Sequence, residues 1–141
     1  MPTWASGIVT VTGNPENIKK FCQLFIFEDH NELKPKKYFA RSFIHTTWKL
    51  FEEEFLLKDN PNEITFFVDF AWSSWSCLIE GYPQDFKREC ITLKSACKKY
   101  NVKAIIDTEE CDMCFEEHID ADKNDVKYTS KKMNIESDDI K

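Results

Sequence analysis

Hydrophobic and polar residues alternate in several stretches of this chain, and this period of two predicts β-strands. The clearest stretch is "EITFFVDFAW". One side of it carries Ile64, Phe66, Val68 and Phe70, and the other carries Thr65, Phe67, Asp69 and Ala71. The first side is predicted to face the core, so that only Phe67 presents an exposed ring. Further strands are predicted in "WASGIVTVTG", "KKYFARSFIHT", "NVKAIIDTEE" and "VKYTSKKM".

Apolar residues spaced three and four apart predict two long helices. Asn14 fits an N-cap and Pro15 the first helical position, and this helix is predicted to run to about Phe27. The second helix is predicted from Asp85 to Tyr100. A shorter helix is predicted within "TWKLFEEEFLLKDNPN", and "SSWSCLIEGYPQ" is predicted to be a loop.

The chain has six cysteines, and most of them are explained by packing. Cys22, Cys90 and Cys97 fall on the apolar stripes of the predicted helices and are interpreted as core thiols. Cys77 lies in the predicted loop and is the candidate for an exposed, reactive thiol. No basic residue stands close to it in the sequence to lower its pKa.

The stretch "EECDMCFEEHID" places Cys111, Cys114 and His118 at C-x2-C-x3-H spacing, which supplies three of the four ligands of a structural zinc site. Alternation favours a strand here, with Cys111 and Phe115 on one face and Cys114 and His118 on the other. The two cysteines would then point apart, and "CDMC" has no Gly or Pro to make a turn between them. The sequence therefore predicts no metal site and no cofactor.

The predicted order of elements is strand, helix, strand, short helix, strand, helix, then three strands. This order predicts an α+β fold, a ferredoxin-like helix-on-sheet sandwich with a mainly antiparallel sheet and a C-terminal hairpin. Residues 1–132 are expected to form a single domain. Residues 133–141 are expected to be an acidic, flexible tail.

The charge of the chain is unevenly distributed, and this bears on the kind of partner that the protein would bind. The net charge is −6 over 141 residues, but residues 107–141 alone carry −7 and the rest carries +1. An acidic surface disfavours nucleic acid and favours basic partners. No stretch approaches the roughly 18–20 apolar residues of a membrane span, and the first residues lack a secretory signal pattern. A cytoplasmic protein with reduced cysteines and no membrane partner is expected.

Several segments together resemble the YubB-type ferredoxin-like domain family. They are "MPTW" followed by "VTVTG" and "NPENIKKF", then "ITFFVDFAWSSW", and finally "CITLKSACKKYNVKAIIDTEECDMCF". The resemblance covers about residues 1–120, and Asp112 stands where that family usually has Gly. It implies a protein of phages, plasmids and related mobile elements, with no common catalytic activity or cofactor. Small accessory proteins of such elements often bind host proteins, including defence machinery.

Other chemical motifs are incomplete. "DADKNDVKYTSK" begins like a calcium-binding loop, but Asp125 replaces the Gly at its sixth position and Lys131 the Glu at its twelfth, so a solvated turn is predicted. "FVDF" matches the end of an RNA-recognition consensus without its basic residue or glycines. His30, His45 and His118 are scattered, and no catalytic motif includes them. No catalytic residue and no enzyme are predicted.

Two candidate partner-binding surfaces remain. The first is aromatic and comprises Trp72, Trp75 and Tyr82, which are of the type favoured as interface anchors. The second is acidic and comprises Asp112, Glu116, Glu117, Asp120 and Asp122.

The leading hypothesis is a non-enzymatic mobile-element accessory protein that binds and inhibits a host macromolecule. Its acidic surface would meet a basic surface on a host protein, and an anti-defence protein of the anti-CRISPR kind is the concrete form. Direct nucleic-acid binding is disfavoured by the charge. The alternatives are a small-ligand binding or sequestering protein, a zinc-stabilised or RNA-binding ferredoxin-like module, and a self-associating homodimer.

Overall fold

Strands and helices alternate along the first two thirds of the chain, and strands alone follow. The computed structural model describes residues 4–28, 37–57, 61–80, 89–111 and 114–132. The strands are β1 (Trp4–Thr12), β2 (Lys37–Tyr38), β3 (Ser42–Phe43), β4 (Glu63–Ala71), β5 (Glu89–Cys90), β6 (Lys103–Glu110), β7 (Phe115–Ala121) and β8 (Val126–Lys132). The helices are α1 (Pro15–Cys22), α2 (Trp48–Phe51) and α3 (Leu93–Tyr100), with π-helical segments π1 (Glu52–Leu56) and π2 (Trp75–Glu80).

Six strands form one sheet in the order β3-β4-β1-β6-β7-β8, and every neighbouring pair is antiparallel. β1 lies inside the sheet, where Val9 is opposite Phe66 on one side and Ile106 on the other. β2 and β5 form a separate two-stranded parallel sheet. The α+β class expected from the sequence is confirmed.

The core lies between one face of the sheet and the helices. Ile18 and Phe21 of α1 and Leu93 of α3 are buried in the same cluster as Val9 and Ile106 of the sheet. Phenylalanine rings fill much of this core and meet edge to face; Phe25, for example, has its centroid 4.9 Å from Phe39. Rings in this geometry gain about 0.5–1.5 kcal/mol per pair beyond the area they bury.

The start of α1 is as predicted, but its end is not. The side chain of Asn14 accepts a hydrogen bond from the Glu16 N–H at 2.9 Å, which confirms the N-cap. The helix ends at Cys22 rather than near Phe27. Beyond it the backbone pairs with another segment instead: the Ile26 N–H donates to the carbonyl of Ser42 at 2.8 Å.

The predicted strand across "KKYFARSFIHT" is wrong as a continuous element. β2 and β3 have two residues each and belong to different sheets. Between them Arg41 has φ 48°, in the left-handed region, and this turns the chain. No glycine marks this turn in the sequence, so the alternation there was misleading.

The predicted helix from Asp85 to Tyr100 is shorter in the structure. α3 begins after Thr92, whose side chain caps it, and residues 81–88 lie outside the described part of the chain. Glu89–Cys90 is the strand β5, so Cys90 is a half-buried strand residue. The prediction of core thiols is confirmed for Cys22 and Cys97.

The predicted loop "SSWSCLIEGYPQ" contains the helical segment π2, and Cys77 within it is fully buried. The prediction of an exposed Cys77 is therefore wrong. Burial raises the pKa of this thiol to about 12, because the thiolate would be desolvated. Leu78 is buried beside it, so this segment closes the core.

The two C-terminal hairpins follow the predicted order. Asp122–Asp125 connects β7 to β8 as the predicted turn, and the tail 133–141 lies outside the described residues. β7 starts at Phe115, so the predicted strand across Cys111 and Cys114 is wrong: the connection falls between the cysteines, and Cys114 has φ 57°. Among the described residues, none of the helices combines the length and apolarity needed to cross a membrane.

Candidate interface on the open face of the sheet

One face of the sheet has no helix packed over it in the described part of the chain, and it is termed the open face. Because side chains alternate along a strand, the same strands that supply the core present their other residues here. Its members include Trp4, Ser6, Ile8, Thr10 and Thr12 of β1, Phe43 of β3, Glu63, Thr65, Phe67 and Asp69 of β4, Lys103, Ile105, Asp107 and Glu109 of β6, Glu116, His118 and Asp120 of β7, and Lys127, Thr129 and Lys131 of β8.

The sheet register joins these residues into rows that cross from β4 to β8. One row is Phe67, Ile8, Asp107, His118 and Thr129, and the next is Asp69, Ser6, Glu109, Glu116 and Lys131. Opposed residues on neighbouring strands have Cβ atoms about 4.5–5.5 Å apart. Residues from distant parts of the sequence therefore form one continuous surface. These two rows, together with Trp4, are termed the acidic end of the open face.

Exposed apolar side chains stand within the acidic end. Phe67 is 76% exposed, although its neighbour Phe66 is only 4% exposed. Trp4 and Ile8 are also exposed, and the Trp4 ring meets Phe43 edge to face with centroids 5.6 Å apart. Large rings held in place on a surface are typical anchors of binding interfaces.

Two histidine–aspartate pairs also lie on this face. His45, which follows β3, places Nε2 2.5 Å from Oδ2 of Asp69, and His118 places Nδ1 2.5 Å from Oδ1 of Asp107. The Ser6 hydroxyl donates to the other oxygen of Asp69. Since Ser6 bonds the carboxylate and not the imidazole, these residues are not arranged as a nucleophile activated by a base.

Negative charge dominates the acidic end. It carries the carboxylates of Asp69, Asp107, Glu109 and Glu116, while its only amine is that of Lys131. Glu109 and Glu116 are directly opposed in the register, an arrangement of like charges that costs stability. Lys131 Nζ lies 3.8 Å from Glu116 and offsets part of this repulsion. The remaining negative potential attracts a positively charged partner.

The acidic end also forms a depression of about 900 Å³ whose lining includes Trp4, Ile8, Phe67, Glu109 and Lys131. Its lining extends over five strands, from β4 to β8. This breadth suits a segment of another macromolecule as well as a small ligand.

Glu117, predicted as part of an acidic surface, lies on the opposite side of β7 and is 3% exposed. Its carboxylate accepts hydrogen bonds from the Ser74 N–H at 2.8 Å, the Ser74 hydroxyl at 2.9 Å and the Trp75 N–H at 3.3 Å. The Tyr128 hydroxyl donates to it at 2.7 Å. Glu117 thus caps the start of π2 and ties it to β7 and β8, and it is not available to a partner.

The same network changes the acidity of Tyr128. Burial of the phenol, together with its hydrogen bond to Glu117, raises the pKa of Tyr128 to about 12. The phenol therefore remains a donor to the carboxylate across the ordinary pH range.

The structure describes two of the three residues of the predicted aromatic surface. Trp72, at φ 73°, and Trp75 are 43% and 36% exposed, and Trp75 packs near the ring of Tyr128 with centroids 6.3 Å apart. Tyr82 lies outside the described residues. The backbone N–H of Trp75 also donates a hydrogen bond to Glu117. This contact joins a residue of the predicted aromatic surface to one of the predicted acidic surface, which the sequence did not indicate.

The predicted acidic surface is only partly assembled. Glu116 and Asp120 share the open face of β7. Asp122 lies in the β7–β8 turn, where hydrogen bonds from the Asn124 and Asp125 N–H groups lower its pKa. Asp112 lies outside the described residues.

The zinc hypothesis gains no support from the geometry. His118 faces Asp107 on the open face, whereas Cys114 donates its S–H to the backbone carbonyl of Cys111 at 3.2 Å. In the part of the chain that the structure describes, no three His, Cys, Asp or Glu side chains are placed to hold a metal ion.

The sequence did not indicate that five residues of the acidic end share one surface. They are Trp4, Ile8, Asp69, Asp107 and Glu109. Alternation did indicate that Thr65, Phe67 and Asp69 share a face, and that Phe67 would be exposed. The face as a whole depends on the register between strands, which a local pattern does not contain.

Comparisons with protein-family models, with curated proteins and with solved structures gave no match for this chain. They therefore do not identify it as a member of the YubB-type family that its sequence resembles.

Proposed function

We propose that the protein is a non-enzymatic binding protein that docks a partner with a basic surface onto the acidic end of its open face. The observation that carries the proposal is the exposure of Phe67 beside Ile8 and Trp4, in rows that also hold carboxylates. Apolar anchors supply binding energy once water is excluded, and the surrounding charge selects the partner and speeds its approach.

The charge favours a protein partner over nucleic acid. Exposed rings on a sheet can stack on bases, as in RNA-binding sheets. Here the residues beside the rings are Asp107, Glu109 and Glu116, which would repel the phosphates that dominate nucleic-acid affinity. A segment rich in Lys or Arg would instead pair with these carboxylates.

We also propose the narrower fold, a ferredoxin-like sandwich. Strands β6-β1-β4-β3 lie side by side and are all antiparallel. Along the chain, α1 lies between β1 and β3, and α3 lies between β4 and β6. This arrangement supports a split βαβ design extended by the β7–β8 hairpin.

The narrowest form of the proposal is an accessory protein of a phage or plasmid that inhibits a host macromolecule, such as the nucleic-acid-binding component of a defence system. Its support is the sequence resemblance together with the acidic end of the open face. An inhibitor that presents carboxylates and rings to a basic nucleic-acid-binding surface would compete directly for that surface, with no chemistry of its own.

The test is partner capture from a host lysate with three tagged proteins. They are the wild type, the double variant Glu109→Lys with Glu116→Lys on the open face, and the matched control Glu16→Lys on α1 with Glu53→Lys on π1. The two double variants change the net charge equally. The wild type and the control are expected to recover the same partner, and the open-face variant is expected to lose it.

Each other outcome is informative. Equal recovery by all three proteins would contradict the placement of the interface on the open face. Equal loss by both double variants would show that net charge alone matters. If the wild type captures nothing, the binding function itself is contradicted.

A further inference from the structure

The six cysteines differ in exposure. Cys111 is exposed, Cys114 and Cys90 are half-buried, and Cys22, Cys77 and Cys97 are buried. Burial raises the pKa of Cys77 and of Cys97 to about 12, which leaves these thiols without an accessible thiolate. Cys111 and Cys114 are therefore two accessible thiols at one hairpin, whereas Cys90 lies on β5 in the separate two-stranded sheet.

The two cysteines flank the connection between β6 and β7. The ladder pairs Asp107 with His118, Glu109 with Glu116 and Glu110 with Phe115. β6 ends at Glu110 and β7 begins at Phe115, so Cys111 and Cys114 lie directly beyond the last ladder pair. A disulfide requires Cα atoms about 4.4–6.8 Å apart, so the two residues must lie close together in space.

The local conformation also directs one sulfur toward the other residue. Cys114 has φ 57°, an uncommon conformation for a residue with a side chain. In this conformation its Sγ lies 3.2 Å from the backbone carbonyl oxygen of Cys111. The Cys114 sulfur is thus held over the backbone of the residue with which it would bond.

We propose that Cys111 and Cys114 form a reversible intramolecular disulfide, so that the hairpin is a thiol–disulfide site. The oxidant is a low-molecular-weight disulfide such as oxidised glutathione. Cys111, the more exposed residue, attacks it as the thiolate, forms a mixed disulfide and releases one thiol. The Cys114 thiolate then attacks the Cys111 sulfur, closes the internal disulfide and releases the second thiol.

The electron balance of this exchange is complete. The two cysteines lose two electrons and two protons, and the external disulfide gains them as two thiols. A bond so short in sequence closes a small loop and gives little stability through chain entropy, which is consistent with a reversible site rather than a structural one.

The site borders the acidic end of the open face, because Cys111 lines the same depression as Glu109 and Glu116. The proposed disulfide does not depend on the proposed binding function, since it concerns only the chemistry of the two thiols. Either proposal can fail without the other.

The test is intact-mass and peptide analysis of the folded, reduced protein after exposure to excess oxidised glutathione. Trypsin cleavage after Lys103 and Lys123 yields one peptide, residues 104–123, that contains Cys111 and Cys114 and no other cysteine. This peptide is expected to lose two hydrogens on oxidation and to regain them with dithiothreitol. Cys90→Ser, which leaves the pair intact, is the matched control and should give the same loss.

Single variants test the pairing itself. Cys111→Ser and Cys114→Ser should each stop at a glutathione adduct, with no loss of two hydrogens, while circular dichroism confirms that both remain folded. The proposal is overturned if the wild-type peptide carries two glutathione adducts, if it stays fully reduced, or if the sulfurs pair with cysteines outside it.

Discussion

Adjacent residues of the same type differ in burial because they lie on opposite faces of the sheet. On β4, Phe66 is in the core while Phe67 is exposed, and on β7, Glu117 is buried while Glu116 lies on the open face. The residue types cannot explain the difference, since each pair is the same amino acid. What differs is the direction of the side chain, because consecutive residues of a strand point to opposite faces.

The contrast suggests a division of roles, in which one face of the sheet stabilises the fold and the other is available for binding. The covered face, which is the side of the sheet opposite the open face, carries the rings that form the core. The buried Glu117 carboxylate on this face accepts hydrogen bonds from the Ser74 N–H and from Tyr128 of β8. The open face holds rings and carboxylates that the described part of the chain does not cover. Changes on the first face should therefore unfold the protein, and changes on the second should alter what it binds.

The largest effect is expected from the phenylalanine pair. Phe66 meets Phe25, Phe51 and Phe55 in the core, so Phe66→Ala should lower the free energy of unfolding by about 3–5 kcal/mol. Phe67→Ala should change it by no more than about 0.5 kcal/mol, because that ring is exposed. Urea denaturation measures both. Equal losses would contradict the division between the faces.

The glutamate pair should show a smaller version of the same contrast. Glu117→Ala leaves the Ser74 and Trp75 N–H groups without their acceptor and should cost about 3 kcal/mol. Glu117→Gln should cost less, because an amide oxygen still accepts. Glu116→Ala breaks a long surface ion pair and also removes the repulsion with Glu109, so it should change the free energy of unfolding by less than about 1 kcal/mol. A Glu117→Ala protein as stable as Glu116→Ala in urea would contradict the buried network.

The raised pKa of Tyr128 predicts how the protein behaves at high pH. Its pKa is raised from an ordinary value near 10 to about 12. The folded state therefore holds this proton more tightly than the unfolded state, and the associated stability, complete below about pH 10, is lost as the pH rises toward 12. Phenolate absorbance should show a tyrosine titrating near pH 12 in the wild type, and this step should be missing from Tyr128→Phe. A wild-type protein without a step near pH 12 would contradict this.

The sequence predicts the covered face better than the open one. Alternation in "EITFFVDFAW" placed Phe66 and Phe70 in the core, because that pattern is local. Pairing His118 with Asp107, or opposing Glu109 and Glu116, requires the register between strands that is set by the whole fold.

The wrong predictions also concern features that depend on contacts or conformations beyond the local pattern. Glu117 is buried because Ser74 and Tyr128, distant in sequence, supply donors to it. Cys77 is buried because an aromatic stretch that reads as a loop forms a helical segment against the core. The break at Arg41 depends on a left-handed residue that is not glycine, which sequence patterns seldom reveal.

The smallest stability effect, and the sharpest separation of the two faces, is expected at Lys131. Removing this exposed amine with Lys131→Ala should change the free energy of unfolding by less than about 1 kcal/mol. It also removes the only positive side chain of the acidic end, so the affinity for a basic partner should rise a few-fold at low salt and less at high salt. Lys94→Ala on α3 removes the same charge from the other side of the molecule and is the matched control. The two variants have the same net charge. A higher affinity of Lys131→Ala alone would therefore locate binding at the open face, whereas an equal rise in both variants would show that only the net charge of the protein matters.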